Sequence, residues 1–299
     1  MTLAWTSRQE KPAIKTTSSR PPHPVLTEYY PREGERRSFV IDLFDASARY
    51  YDRLCRVMSL GSGQWYRRWT LERMGLRSGM MLLDVATGTG LVARAARRIV
   101  RDPRGVVGLD PSAGMLREAR KAVSGPLVQG QVEELPFRSA RFDFLTIGYA
   151  LRHAADLEVA FGECLRVLKP GGRILILEIS RPPSLGRRRL VRFYLTKVLP
   201  SIIALSTRDR HARMLTRYYW DTIATCVPPD VIIDSLRRSG FVDVKRCVFG
   251  GILSEYTAIT PAAACESESV NKCALSRGVT AAPGRPERPG GLGGAWSPP

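Results

Sequence analysis

Acidic side chains are in short supply in this sequence. Its 299 residues hold 28 aspartates and glutamates against 46 lysines and arginines, a formal net charge of +18. Such an excess points either to an anionic partner or to a composition rich in Arg, Ala, Gly and Pro together. Zinc fingers, RNA-recognition signatures and basic heptads are all missing, so no nucleic-acid partner is expected. Histidine is scarcer still, with three in the chain. The six cysteines (Cys55, Cys164, Cys226, Cys247, Cys265, Cys273) form no Cys-x-x-Cys pair and have no histidine at zinc spacing. That excludes a recognisable metal site or disulfide frame and reads as reduced thiols in a cytoplasmic chain. No apolar run reaches the roughly 18 residues a membrane-spanning helix needs. The start of the chain lacks the apolar stretch of a secretory signal. A transit peptide stays open, since residues 1–20 carry four basic residues and one acid, but Glu10 and Pro12 work against an amphipathic helix.

Organisation follows from hydrophobic patterning. Residues 1–38 show no periodicity and are expected to be a disordered tail, as are residues 261–299, rich in Gly and Pro. Between them, residues 39–260 read as one domain. Apolar strands are predicted at Met80–Val85, Val106–Leu109, Leu127–Gln129, Phe142–Ile147 and Arg173–Glu178. Helices at Leu91–Val100, Met115–Val123 and Leu157–Leu168 alternate with them, and Lys169-Pro170-Gly171-Gly172 is expected to turn the last helix into its strand. Strand–helix alternation with doubly buried strand centres predicts an α/β, Rossmann-like, mostly parallel sheet. Residues 186–226 read as an inserted helical lid over that sheet. A helix at Asp230–Ser239 and an antiparallel hairpin from Val242–Val248 and Ile252–Ile259 should close the domain.

The strongest local feature is Asp84-Val85-Ala86-Thr87-Gly88-Thr89-Gly90 between the first strand and first helix. Gly88 and Gly90 permit a tight turn and close approach to a ligand, and the following helix aims free N–H groups at it. Asp110, twenty residues beyond Gly90, stands at the tip of the next strand, where a carboxylate can take both hydroxyls of an adenosine ribose. Gly88-x-Gly90-x-x-Ala93 also satisfies the dinucleotide pattern, so a nicotinamide oxidoreductase competes with S-adenosyl-L-methionine binding. Asp84 favours the latter, because an acid at that strand end suits a sulfonium and ammonium better than a pyrophosphate. The downstream order Glu134-Leu135-Pro136-Phe137, Phe142-Asp143 and Leu165-Arg166-Val167-Leu168-Lys169-Pro170-Gly171-Gly172 points the same way.

From Ile41 to Ile259 the chain resembles the class I methyltransferases that C-methylate ubiquinone and menaquinone precursors. Phe44-Asp45-x-x-Ala48-x-x-Tyr51-Asp52 is similar to the family's opening motif. Ser59-Leu60-Gly61 and Arg67-Arg68 resemble the next segment, and Leu83–Gly90 the cofactor loop. Asp110-Pro111-Ser112-x-x-Met115-Leu116, Tyr149-Ala150-Leu151-Arg152-His153, Val198-Leu199-Pro200 and Gly250-Gly251-Ile252 continue the likeness. The resemblance implies that Thr89 and Asp110 contact S-adenosylmethionine, that Gln131 and Val132 flank adenine, that Gly148 lines the site and that Arg152 faces the acceptor. Gln131 replaces the usual Asp or Asn, His153 an Asn, Gly63 a common His, and Glu255-Tyr256 a strand end that carries a His. A prenylated quinol is the implied acceptor; another aromatic or lipid acceptor, and a non-catalytic adenosine-ligand binder, stay open beside it. Chemically, Arg152 could stabilise a quinol oxyanion, His153 could take its proton, and Tyr51 could close over the cofactor or simply pack. Arg187–Arg189 and Arg192, interleaved with apolar residues, could rest on anionic lipid at the inner membrane. A homodimer is compatible with all of this.

Overall fold

The computed structural model describes residues 21–206 and 210–262. Seven strands form one sheet in the order β3-β2-β1-β4-β5-β7-β6. The strands are β1 (Leu82–Val85), β2 (Val106–Asp110), β3 (Leu127–Gln129), β4 (Phe142–Gly148), β5 (Leu168–Ile179), β6 (Val242–Phe249) and β7 (Leu253–Ile259). The first five are parallel; β7 runs antiparallel to both β5 and β6, as the hairpin expectation required. Every residue of β1 and β2 is buried, which is why these strands read as mainly apolar, with Asp84 and Asp110 as their only charged residues.

Helices α3 (Leu91–Val100), α4 (Ala113–Arg120), α5 (Leu157–Val167) and α9 (Pro229–Arg238) cover the sheet. Ser112 starts α4 by accepting the Met115 N–H at 3.0 Å, and Asp156 starts α5 by accepting from Glu158 and Val159. Order reverses between β1 and β4, so the loops after β1, β2 and β4 open onto one crevice at the carboxyl edge of the sheet.

Three expectations are corrected. Lys169–Gly172 does not form a free turn: α5 passes directly into β5, whose pairing with β4 slips between Phe142 and Phe144. Gly171, at φ +74°, makes this bulge accessible, and Thr260 N donates to Gly172 O at 2.9 Å to fasten it. The folded part also begins well before residue 39. Helix α1 starts at Glu33 and runs to Met58, and the segment ahead of it is packed, with His23 and Tyr30 each 1% exposed. Val227 N donates to Pro22 O at 2.8 Å and Tyr29 Oη donates to Asp221 at 2.5 Å, so tertiary contacts order a stretch without periodicity of its own. The expected C-terminal tail lies outside the described residues beyond 262.

The inserted segment is helical as expected: α6 (Leu185–Phe193), a π-helical turn (Tyr194–Val198), α7 (Leu199–Ser206) and α8 (Arg210–Thr225). The third correction is where it packs. With α1 it builds a second core, in which Val40, Leu43 and Leu54 meet Leu199, Leu215 and Ile223. The remaining helix, α2 (Gly63–Arg73), lies between α1 and the sheet's β7, where buried Glu255 accepts from Tyr66 at 2.7 Å and Thr70 at 3.1 Å and pairs with Arg73. The departure at Glu255 thus ties α2 to the sheet.

Candidate active site

A cavity of ≈ 150 Å³ opens on the crevice. That is roughly ten times the space one water needs, enough for a small molecule. Gly88, Asp110, Gln131, Val132 and Gly148 line it from the strand ends, and Phe44, Tyr51 and His153 line its other side.

Asp110 anchors the first half. Its carboxylate accepts Gly88 N–H at 2.7 Å and Ser112 N–H at 2.9 Å, one on each oxygen. Each oxygen keeps a lone pair for a further donor, as a ribose diol would supply. Burial pushes the Asp110 carboxyl up to about 7, against the pull of those two N–H bonds, with the Asp84 and Asp45 charges adding to the rise. Gly88 has φ +57° and open space where a Cβ would be, so the loop leaves room directly above it. Gly90 (φ +82°) is glycine for a second reason: a Cβ there would fall 2.4 Å from Val123. These residues fit an adenosine ligand: a diol acceptor, an open glycine turn and apolar Val132 on one wall.

Asp84 and Thr89 are placed elsewhere. Asp84 is buried beneath the loop, where Thr146 (2.7 Å), Thr87 (2.6 Å) and the Ala93 N–H (3.1 Å) occupy its carboxylate. Burial raises it to about 6 despite those three bonds. It shapes the loop from below and does not line the cavity. Thr89 donates to Asp52, which also pairs with Arg94 at 2.6 Å. Asp45, on the same face of α1, accepts from Ser112 and from Gly114 N at 2.9 Å. The seven-residue spacing of Asp45 and Asp52 is two helical turns, so one helix face docks on both loops that make the crevice. The opening motif contained these residues; only their common spacing hinted at this role.

On the acceptor side, His153 stacks on Tyr218 (centroids 5.5 Å apart, 18° between planes) and meets the edge of Phe44 at 5.2 Å. Its Nδ1 lies 3.4 Å from Tyr218 Oη, and its buried Nε2 has no hydrogen-bond partner among the described residues. Burial, reinforced by Arg152, His23 and Arg36, holds it well below the usual histidine range, so it is neutral. Tyr51 accepts a 2.8 Å bond from Tyr219 Oη, and burial drives its phenol well above the usual range. Arg152 stands behind this wall, 2% exposed, bonded to Glu178 at 2.7 Å and Thr222 at 3.2 Å, with its guanidinium 5.1 Å from the Tyr219 ring centroid. Its backbone carbonyl accepts from buried Arg36 at 3.1 Å. Ala86 (φ +52°) and Tyr149 (φ +62°) are non-glycine residues held in the left-handed region at the two strand ends, where such strain marks functional loops.

A doubly wound sheet with a glycine turn after β1, a buried carboxylate at the tip of β2 and an antiparallel β7 beside β5 fits a class I S-adenosylmethionine-dependent methyltransferase, and the comparisons show that it is one. The model of the ubiE/COQ5 methyltransferase family matches residues 32–259, and the chain belongs to that family. It is 34% identical over 221 residues to the ubiquinone/menaquinone biosynthesis C-methyltransferase UbiE of Shewanella halifaxensis, covering 71% of this chain and 87% of that protein. The UbiE of Idiomarina loihiensis is 38% identical over 230 residues, covering 74% and 90%. Among solved structures, an S-adenosylmethionine-dependent methyltransferase from Thermotoga maritima superposes with a TM-score of 0.51 at 17% identity, covering 73% of this chain and 99% of that one. The [4+2]-cyclase SpnF does so at 0.53 and 17%, covering 76% and 96%. At those identities the structures speak to the fold alone. The nicotinamide alternative is set aside by the family.

Proposed function

We propose that this methyltransferase C-methylates a quinol precursor with a prenyl tail, such as demethylmenaquinol or a polyprenyl benzoquinol. The similarity to UbiE proteins at 34–38% identity over most of the chain carries the proposal. An aromatic-lined cavity wall of Phe44, Tyr51 and His153 suits a flat ring.

When bound, S-adenosylmethionine supplies an electrophilic methyl group on a sulfonium. Gly88, Thr89 and Gly90 would shape the turn that holds it, Asp110 would accept its ribose hydroxyls, and Gln131 and Val132 would flank its adenine. Gly148 lines the cavity at the end of β4 and lets α3 pack close, since a Cβ there would meet Val92 at 2.8 Å. Loss of a ring hydroxyl proton makes the ortho carbon of a quinol nucleophilic. Neutral His153 would accept a hydrogen bond from that hydroxyl on Nε2, with Nδ1 turned to Tyr218. Arg152 acts through the Tyr51–Tyr219 hydroxyl pair rather than by contact, its charge favouring an oxyanion in front of it. Asp84 holds the loop in shape.

A membrane-held substrate also gives a reason for α6. Leu185 (68%), Leu190 (66%) and Phe193 (57%) are exposed on a helix that carries Arg187, Arg188, Arg189 and Arg192 and no acid. Exposed Phe249 packs on Trp69, which stacks on exposed Trp65, and the Gly250–Gly251 turn adjoins Arg187. Apolar and aromatic groups among arginines suit the headgroup layer of an anionic bilayer. No helix among the described residues is long and apolar enough to cross one.

The test is incubation of the purified protein with labelled methyl donor and each quinol, read by mass spectrometry. Methylated quinol is expected. No product from either quinol, with S-adenosylhomocysteine still bound, would move the acceptor to another aromatic or lipid molecule.

A further inference from the structure

Arg67 is a buried cation to which no carboxylate is directly bonded among the described residues. It sits on α2, is 8% exposed, and its Nε has no hydrogen-bond partner among the described residues. Its guanidinium lies over the Tyr149 ring, 5.2 Å from the centroid. Removing a guanidinium from water without an anion is costly, so a fold that does so has reserved the charge for something.

The surroundings indicate what. Arg67 forms the wall of a second cavity of ≈ 100 Å³, with Arg56, Arg94, Gly63, Gln64 and Leu91 also lining it. Its one acid, Asp52, is already engaged by Thr89 and Arg94. Leu91 is the first residue of α3, so the positive end of that helix adjoins the same space. Gly63 makes room for the guanidinium: a Cβ there would come within 2.7 Å of Arg67 Nη1, although φ at this position needs no glycine. The glycine loop links the two cavities. Gly88 lines the first with Asp110, and Leu91, three residues on, lines the second with Arg67. Tyr149 lines the first cavity and carries Arg67 on its ring face.

We propose that Arg67 receives the carboxylate at the amino-acid end of the methyl donor, with the second cavity as its subsite. This rests on the donor assignment above. The donor then spans the glycine turn, its sugar held by Asp110 and its carboxylate by Arg67. Arg67 is also near enough to Asp84 for its charge to favour the ionised carboxylate under the loop, so the two ends of the turn are electrostatically joined.

The experiment is calorimetry of the full chain with S-adenosylhomocysteine and with decarboxylated S-adenosylhomocysteine, which lacks only that carboxylate. Wild type should prefer the first by roughly 10- to 100-fold, the scale of a charge-assisted hydrogen bond. In Arg67→Gln the two affinities should converge, and Arg67→Lys should restore part of the difference. A structural role would weaken both ligands together and leave their ratio unchanged, which overturns the proposal. Equal affinities in wild type overturn it without any variant, so misfolding of Arg67→Gln does not shield it. Protein that binds neither ligand removes the donor assignment itself, a distinct failure.

Discussion

Asp110 and Arg152 show how burial gives two charged residues opposite tasks. Asp110 is open to the cavity and has acceptor capacity left over. Replacing it by alanine removes two charge-assisted hydrogen bonds to a ribose, so S-adenosylhomocysteine affinity should fall by about 2–3 kcal/mol, roughly 30- to 150-fold by calorimetry. Its raised carboxyl also sets a pH dependence. The ionised form, which accepts both hydroxyls, is lost as pH drops through about 7, so affinity should decline below that point in wild type and much less in Asp110→Ala. Stability of the ligand-free protein runs the other way. Asp84 and Asp110 both titrate higher when folded than unfolded, so their contribution is present below about pH 4 and is lost as pH rises through about 6 and 7. Arg152 is enclosed with Glu178. Arg152→Ala leaves a buried carboxylate alone and should cost about 3–5 kcal/mol by urea denaturation, whereas Arg152→Met with Glu178→Met together should cost far less. A residue acting only through contact with the acceptor would show no such stability loss.

At the scale of elements, α1 governs whether the site is assembled. Its Asp45 holds the start of α4, and its Asp52 holds the glycine loop and α3. An Asp45→Ala, Asp52→Ala variant should exchange amide hydrogens faster in α1 and in the loop, with β1, β4 and β5 still protected, and should bind S-adenosylhomocysteine more weakly. Uniform acceleration across the sheet would show instead that α1 belongs to the same cooperative unit. This element is also where sequence reasoning reached its limit. The strands and their helices were legible because doubly buried parallel strands need apolar runs and because Gly88, Gly90, Pro111 and Ser112 mark their connections. The carboxylates of α1 were visible only as a family motif, since their partners lie 37 to 69 positions away along the chain.

For the whole molecule, the excess of basic residues finds a local expression in α6. Co-sedimentation with vesicles should show binding that grows with anionic lipid content and falls with salt, because exposed charges are screened within about 10 Å at 0.1 M ionic strength. Leu190→Ser with Phe193→Ser should weaken binding at every salt concentration, whereas Arg→Gln changes on α6 should chiefly remove the salt dependence. Equal binding to neutral and anionic vesicles would count against the arginine-rich face.

Local sequence by itself determined the alternation of strands and helices, the glycine turn and the carboxylate one strand over. Those features depend on residues within a few positions of one another, and their chemistry is carried by single side chains. Only the tertiary structure decided that Asp84 and Arg152 work from behind the cavity, that His153 is neutral, and that Arg67 faces a cavity whose one acid, Asp52, is already engaged by Thr89 and Arg94. Burial and pairing are properties of the assembled core, set by chain segments far apart in sequence that meet only when the helices pack against one another and against the sheet.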